Sequence, residues 1–183
     1  MRKLDLQLFA EVVHGKQIVY LFRPHKNIAT EDGTTIAFTT ENERTKSSDS
    51  DSTQTKDGAI VAVSDPEVEI TATALLAVGD EKIDELEEAL DNHDLMDIWE
   101  ANLAEAATGT NKFKGRYFQG YVSELDISSN ADDNAEVSLT FAINGKGVKG
   151  DVTVTTEQQE VASYVFIDTP KNASTPQNAS TPQ

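Results

Sequence analysis

The sequence contains no cysteine, which removes disulfide scaffolds, thiolate metal sites and thiol nucleophiles together. Positive charge is scarce: 15 Lys and Arg stand against 32 Asp and Glu, giving a net charge of -17 over 183 residues. Tight nucleic-acid binding needs clustered cations that displace counterions from phosphates, so a DNA-gripping surface is disfavoured. No apolar run approaches the roughly 18 residues needed to cross a bilayer, and no membrane partner is expected. The amino terminus fails as a signal peptide, because Asp5, Gln7 and Glu11 interrupt Leu4, Leu6, Leu8 and Phe9. Residues 1–14 are read as an extended arm, either packed on a neighbour or disordered.

Short apolar runs with strand chemistry dominate what is present. Gln17 to Phe22 is β-branched and aromatic and stops at Pro24, which reads as a buried strand. Asp32-Gly33 supplies a turn, and Thr35 to Thr40 offers a second strand. From Glu41 to Gly58 the composition changes to Ser, Thr, Asp and Lys, which predicts a long polar loop centred on residues 45–58. Residues 67–78 then alternate: Val68, Ile70, Ala72, Ala74, Leu76 and Val78 take one face, and Glu67, Glu69, Thr71 and Thr73 the other.

At residues 80–91 the period becomes helical, with Ile83, Leu86, Ala89 and Leu90 on one side and Asp80 as N-cap. This helix carries seven acids against Lys82, including the like-charge i, i+4 pairs Glu81/Glu85, Asp84/Glu88 and Glu87/Asp91. It presents either a solvated acidic face or one that meets a basic patch on another subunit. Leu95 to Leu103 fits neither period strictly and is read as strand. Tyr117, Tyr121, Leu125 and Ile127 share one parity, and Val137, Leu139, Phe141 and Ile143 repeat the pattern, giving two long antiparallel strands. Asn144-Gly145-Lys146-Gly147 is the strongest hairpin signal in the chain, with Val148 to Thr155 returning as a strand. Tyr164 to Ile167 is a last apolar run. Residues 169–183 form a Ser/Thr/Pro-rich tail in which Asn-Ala-Ser-Thr-Pro-Gln occurs twice, read as disordered.

No arrangement carries chemistry. His14, His25 and His93 lie far apart in sequence with no motif around them. Asn144 to Gly150 lacks the helix and hydroxyl of a phosphate loop, and Asp49-Ser50-Asp51-Ser52-Thr53 fails as a calcium loop at Gln54 and Ile60. Catalytic residues, cofactors and metals are therefore expected to be none.

Several phrases resemble the major tail protein, or tail tube, family of long, non-contractile-tailed bacteriophages of Gram-positive hosts. They are Gly15 to Leu21, Thr55 to Gly58, Leu95 to Glu100, Lys112 to Val122 and Ala142 to Gly147, and the domain the resemblance implies takes in residues 15–168. The resemblance implies a mainly β fold with one α-helix, a β-sandwich or partial barrel, in a non-enzymatic virion subunit. Six copies would close a ring, and rings would stack into the conduit for DNA ejection, assembled in the host cytoplasm. Partners implied are copies of the chain itself, a tape measure protein, a tail terminator and a distal tail protein; DNA passes without specific binding. On this reading Lys46, Ser47, Ser48, Asp49, Ser50, Asp51, Ser52, Thr53, Gln54, Thr55, Lys56 and Asp57 form an inter-ring loop, disordered until the next ring is met. Glu124, Asp126, Ser138 and Thr140 face either the lumen or outer solvent. Other readings stay open on sequence alone: a head-tail connector or capsid-associated protein, an acidic extracellular binding module, and, last, an enzyme.

Overall fold

A computed structural model describes residues 12–162, with side chains through residue 159. Most of the expected arm, the apolar run at Tyr164 and the duplicated tail lie outside the described residues. Nine strands form: β1 (Ile18–Pro24), β2 (Thr39–Ser47), β3 (Ser50–Thr55), β4 (Gly58–Val63), β5 (Glu67–Leu75), β6 (Met96–Ala106), β7 (Lys112–Ser128), β8 (Glu136–Ile143) and β9 (Val148–Thr153). Helix α1 (Glu81–Asp91) joins β5 to β6, and a short helix α2 (Thr156–Ala162) follows β9.

Seven strands make one antiparallel sheet in the order β1-β6-β7-β8-β5-β2, with β9 also on β7. The 17-residue β7 holds this sheet together because its two halves have different neighbours. Residues 113–120 pair with β6 on one edge and 112–117 with β9 on the other, whereas residues 120–128 pair with β8. The sheet doubles over a shared core. Phe22 on β1 and Phe141 on β8, which are not neighbours in the sheet, stack at a ring separation of 4.9 Å. Ile70, Met96, Ile98, Leu139 and Phe141 fill the space between layers, each at most 1% exposed. Burial of this order stabilises by about 1.5–3 kcal/mol per large apolar side chain.

The alternation in β5 is borne out through Ala74, since Val68, Ile70, Ala72 and Ala74 are buried. It ends there: Leu76 and Val78 lie past the strand and are exposed. Helix α1 forms as its spacing predicts, with the Asp80 carboxylate accepting the Lys82 amide at 3.0 Å and Ile83, Leu86 and Ala89 buried. β6 is a strand, as read.

Four expectations are corrected. Thr35 to Phe38 is not strand; Thr34 makes one isolated bridge to Phe22, and β2 starts at Thr39. The polar segment 45–58 is not an unstructured loop, because β2 pairs with β5 and β3 pairs with β4 through a Lys56-Asp57 turn. Backbone pairing and turn chemistry there outweigh the absence of apolar side chains. Tyr117 and Tyr121 do not share a face with Leu125 and Ile127. A bulge between Val122 and Glu124 inserts one residue and reverses the parity, so that Phe118, Val122 and Leu125 face the core.

Asn144 to Gly147, finally, is not a hairpin turn. β8 and β9 pair in succession with the same edge of β7, Ile143 opposite Gly120 and Val148 opposite Tyr117, so the glycines make a jog within one continuing strand. Gly145 and Gly147 have φ of 72° and 69°, and a Cβ on Gly147 would lie 2.3 Å from the Phe118 ring. The Asn-Gly signal reports positive φ, which a jog and a hairpin turn require equally. Replacing Gly147 by Ala adds backbone strain to a clash with a buried aromatic, and is expected to destabilise by at least about 2 kcal/mol in a denaturant titration.

Candidate assembly surfaces

Among the described residues one carboxylate is fully buried. Asp97 on β6 is 0% exposed and accepts hydrogen bonds from Arg23 Nη2 (2.8 Å), Tyr117 OH (2.6 Å), His25 Nδ1 (2.9 Å) and Gln119 Nε2 (3.4 Å). Burial alone would raise its pKa, but these donors outweigh it and hold the carboxyl below the usual 3.8. Tyr117 is pushed up to about 12 by its own burial and by this carboxylate. With four donors on one carboxylate and the Arg23 guanidinium over the Trp99 ring at 4.9 Å, this network is a structural rivet that ties β1, β6 and β7, although Arg23 Nε is buried without a hydrogen-bond partner. His14 and His93 take no part in it. Among the described residues no group of three or more His, Asp or Glu could hold a metal ion.

The surfaces that stand out are open ones. β2, β5, β8 and the second half of β7 form a four-stranded layer whose inner side is core and whose outer side is exposed. Cross-strand rows on that outer side read Glu43, Thr71, Thr140, Glu124 and Glu41, Thr73, Ser138, Asp126. The four residues singled out from parity thus do share one face, two on β7 and two on β8. Glu67, Glu69 and Glu136 lie on it too, and no Lys or Arg occurs in its rows. Within the subunit each acid stands opposite Thr, Ser, Ala or Leu, never another acid, which keeps like charges apart.

Among the described residues both lateral edges of this layer are unpaired. β2 uses only its β5 side, and β7 from residue 121 to 128 uses only its β8 side. Such edges are open templates for another strand.

Beyond the layer, β3 and β4 continue the β2–β5 ladder as a separate ribbon linked by the Ser64 amide to the Asp49 carbonyl (2.9 Å). Six residues per strand carry it roughly 20 Å outward. Every residue in it is exposed. β3, Ser50–Thr55, is polar, whereas β4 displays Ile60, Val61 and Val63 at 63%, 59% and 65% exposure. Sequence reading took the ribbon's polar strand for the whole segment and overlooked the apolar one beside it; the run Ala59 to Val63 was the available signal.

The model of a family described as phage tail tube protein matches residues 12–149. A putative tail protein of Staphylococcus phage phiMR25 is 28% identical over 145 residues, covering 76% of this chain and 75% of that protein. Among solved structures, the SPP1 tail tube protein superposes with a TM-score of 0.69 at 17% identity, covering 83% of this chain and 86% of that one. The tail of an empty gene transfer agent particle, with C6 symmetry, gives a TM-score of 0.56 at 9% identity over 74% of this chain and 96% of that one. A subunit of the sheath-tube complex of an extracellular contractile injection system gives 0.56 at 12% identity, over 78% and 94%.

Two measurements check these surfaces in the isolated chain. Replacing Ile60, Val61 and Val63 together by Ser is expected to leave the unfolding midpoint of the body nearly unchanged, each substitution within about 0.5 kcal/mol, because these side chains are exposed among the described residues. Asp97→Asn should cost about 3–5 kcal/mol by leaving the buried Arg23 unpaired. Since the Asp97 pKa is lowered on folding, its contribution is complete above the unfolded value and is lost as pH falls through the folded one. The variant should therefore lose less stability than the parent below about pH 4 in acid titrations followed by circular dichroism.

Proposed function

The chain belongs to the phage tail tube protein family, and from that premise we propose that its outward acidic layer lines the lumen of the tube and its two free edges close the ring. It is a structural subunit of a phage tail, and its copies assemble with one another into the tube. What remains is which surfaces do so.

The observation that carries the ring reading is the parity of the layer. β2, β5, β8 and β7 are antiparallel in succession, so β7 runs opposite to β2. Laying the β7 edge, residues 121–128, against the β2 edge of the next copy therefore extends the antiparallel ladder without a break. An odd number of strands would force a parallel join. Closure removes both edges of this layer and with them their hazard of uncontrolled pairing. Six copies, the symmetry of the gene transfer agent tail, would give about 24 strands and a backbone diameter of roughly 40 Å or a little more. That leaves room for a duplex once the inward side chains are subtracted.

The face then turned inward bears Glu124, Asp126, Ser138 and Thr140 with the other acids of its rows. A negative, hydroxyl-rich wall offers phosphates no cation to hold, so DNA slides. The same geometry has a cost at each seam, where Glu124 and Asp126 of one copy approach Glu41 and Glu43 of the next. That repulsion slows spontaneous ring formation and is relieved by screening.

Residues 46–57, which take in the end of β2 as well as β3 and its turn, form the inter-ring device together with the apolar strand β4 that follows. Stacking is a head-to-tail contact that does not close and so grows a filament. Because the ribbon is already paired in the single chain, control of stacking does not require a coil to order. It rests on Ile60, Val61 and Val63, which find cover only on another ring. At its ends the tube would meet a tape measure protein, a tail terminator and a distal tail protein, as the family resemblance implies.

Deleting Ser47 to Thr55 should leave folded subunits that form no tubes by electron microscopy; normal tubes would sink the inter-ring assignment. Glu124→Lys with Asp126→Lys should assemble into tubes while ejection of DNA is impaired, and unaffected ejection would count against the lumen assignment. Raising ionic strength from about 20 mM to 500 mM should speed assembly measured by light scattering, since seam repulsion falls with the Debye length; slower assembly would contradict an acidic seam.

A further inference from the structure

Between β1 and the start of β2 the doubled sheet is not closed. A groove of about 910 Å3 opens there, floored by Ile18, Tyr20 and Ile36 and rimmed by Phe38, Thr39 and Asn42. Phe38 is 66% exposed and sits at φ 50°, a left-handed conformation rare for a bulky residue. At the opposite edge of the same layer Ile127 is 53% exposed, although its pairing partner Val137 is fully buried and its neighbour Leu125 packs on the core. Ile127 points to the core side of β7 but lies where that strand has no further neighbour.

These two features lie at one level. Ile127 pairs with Val137, Val137 with Ala74 and Ala74 with Thr39, so a single cross-strand row runs from Ile127 on one edge to Thr39 beside Phe38 on the other. Resting on the edge-joined ring proposed above, we infer that Ile127 of one subunit seats in the β1/β2 groove of the next, under Phe38. Parity agrees, because in a continued sheet the core side of β7 faces the same way as the core side of β2, toward the groove. The tilt of strands in a closed barrel displaces neighbours along their length, and the groove follows β2 from Thr39 to Asn42, which accommodates a shift of a few residues. An apolar insertion under the seam offsets the acid repulsion above it and rejects any join shifted by one residue, which would turn Ile127 into the lumen. The occupant is thus a second copy of this chain.

The absence of cysteine makes the test clean. Ile127→Cys combined with Phe38→Cys, oxidised in assembled tubes, should give a ladder of cross-linked subunits on a denaturing gel. Asp126→Cys combined in turn with Glu41→Cys, Glu43→Cys or Thr45→Cys reports the edge join alone. A ladder from the second set without one from the first overturns the inference and leaves the edge reading standing; no ladder from either overturns both. Ile127→Asp should raise the subunit concentration needed for assembly at least tenfold, with Ile127→Val restoring most of it and the monomer melting as the parent does; unchanged assembly by Ile127→Asp overturns the inference. A third pair, Leu6→Cys with Phe38→Cys, tests the chain's own amino-terminal segment as occupant: a fast-migrating internally bridged monomer would overturn the second-copy assignment.

Discussion

Strand β7 belongs to two layers at once, and the rest of the molecule depends on that. Its first half is clamped between β6 and β9; its second half has β8 on one side and, among the described residues, no strand on the other. The clamped half carries the Asp97 network through Tyr117 and Gln119, where a buried carboxylate meets donors from β1 and β7. That network costs desolvation, which four donors converging on the one carboxylate offset. Rigid at one end, β7 can hold its free end out as an unpaired edge without fraying.

Charge follows the same division. Cations in the body are mostly engaged: Arg23 with Asp97, Arg44 with Glu100, Lys26 with Asp94 and Lys114 with Asp151. Seven acids, Glu41, Glu43, Glu67, Glu69, Glu124, Asp126 and Glu136, lie on the outer side of the four-stranded layer with no Lys or Arg in their rows. Another seven lie between Asp80 and Asp91 against Lys82; on the proposed ring join it is the first group that neighbouring subunits bring together. A tail subunit has to remain soluble at high concentration and then polymerise on cue. On the proposed ring join, an acidic wall over apolar contacts would serve both demands.

Much of this architecture was legible in the sequence because period-two and period-3.6 patterns report burial directly: β5, α1, the two long strands and the mainly β class follow from them. The acidic and hydroxyl residues of β7 and β8 were placed on one face correctly, since they lie on the same side of the bulge. What was hidden has physical reasons. The bulge at residue 123 reverses parity with no residue type to announce it. The jog at Gly145 and Gly147 uses the same positive φ as a hairpin. The β3 strand owes its order to backbone pairing with β4, which composition does not record. Asp97 looked like a polar interruption in the run Met96 to Trp99, and its partners on other strands could not be foreseen from local spacing.

Up and down strands alternate evenly in the layer and favour neither end of it. The ribbon does. It leaves the body only at the end where β2 finishes and β5 begins, while the connection between β7 and β8 marks the other. With the ribbon as the proposed inter-ring contact, a filament of such subunits would have a plug at one terminus and a socket at the other, a vector rather than a rod. Proteins that start it and stop it must recognise unlike surfaces, and whatever travels inside meets the same sequence of rims only when it moves in one direction.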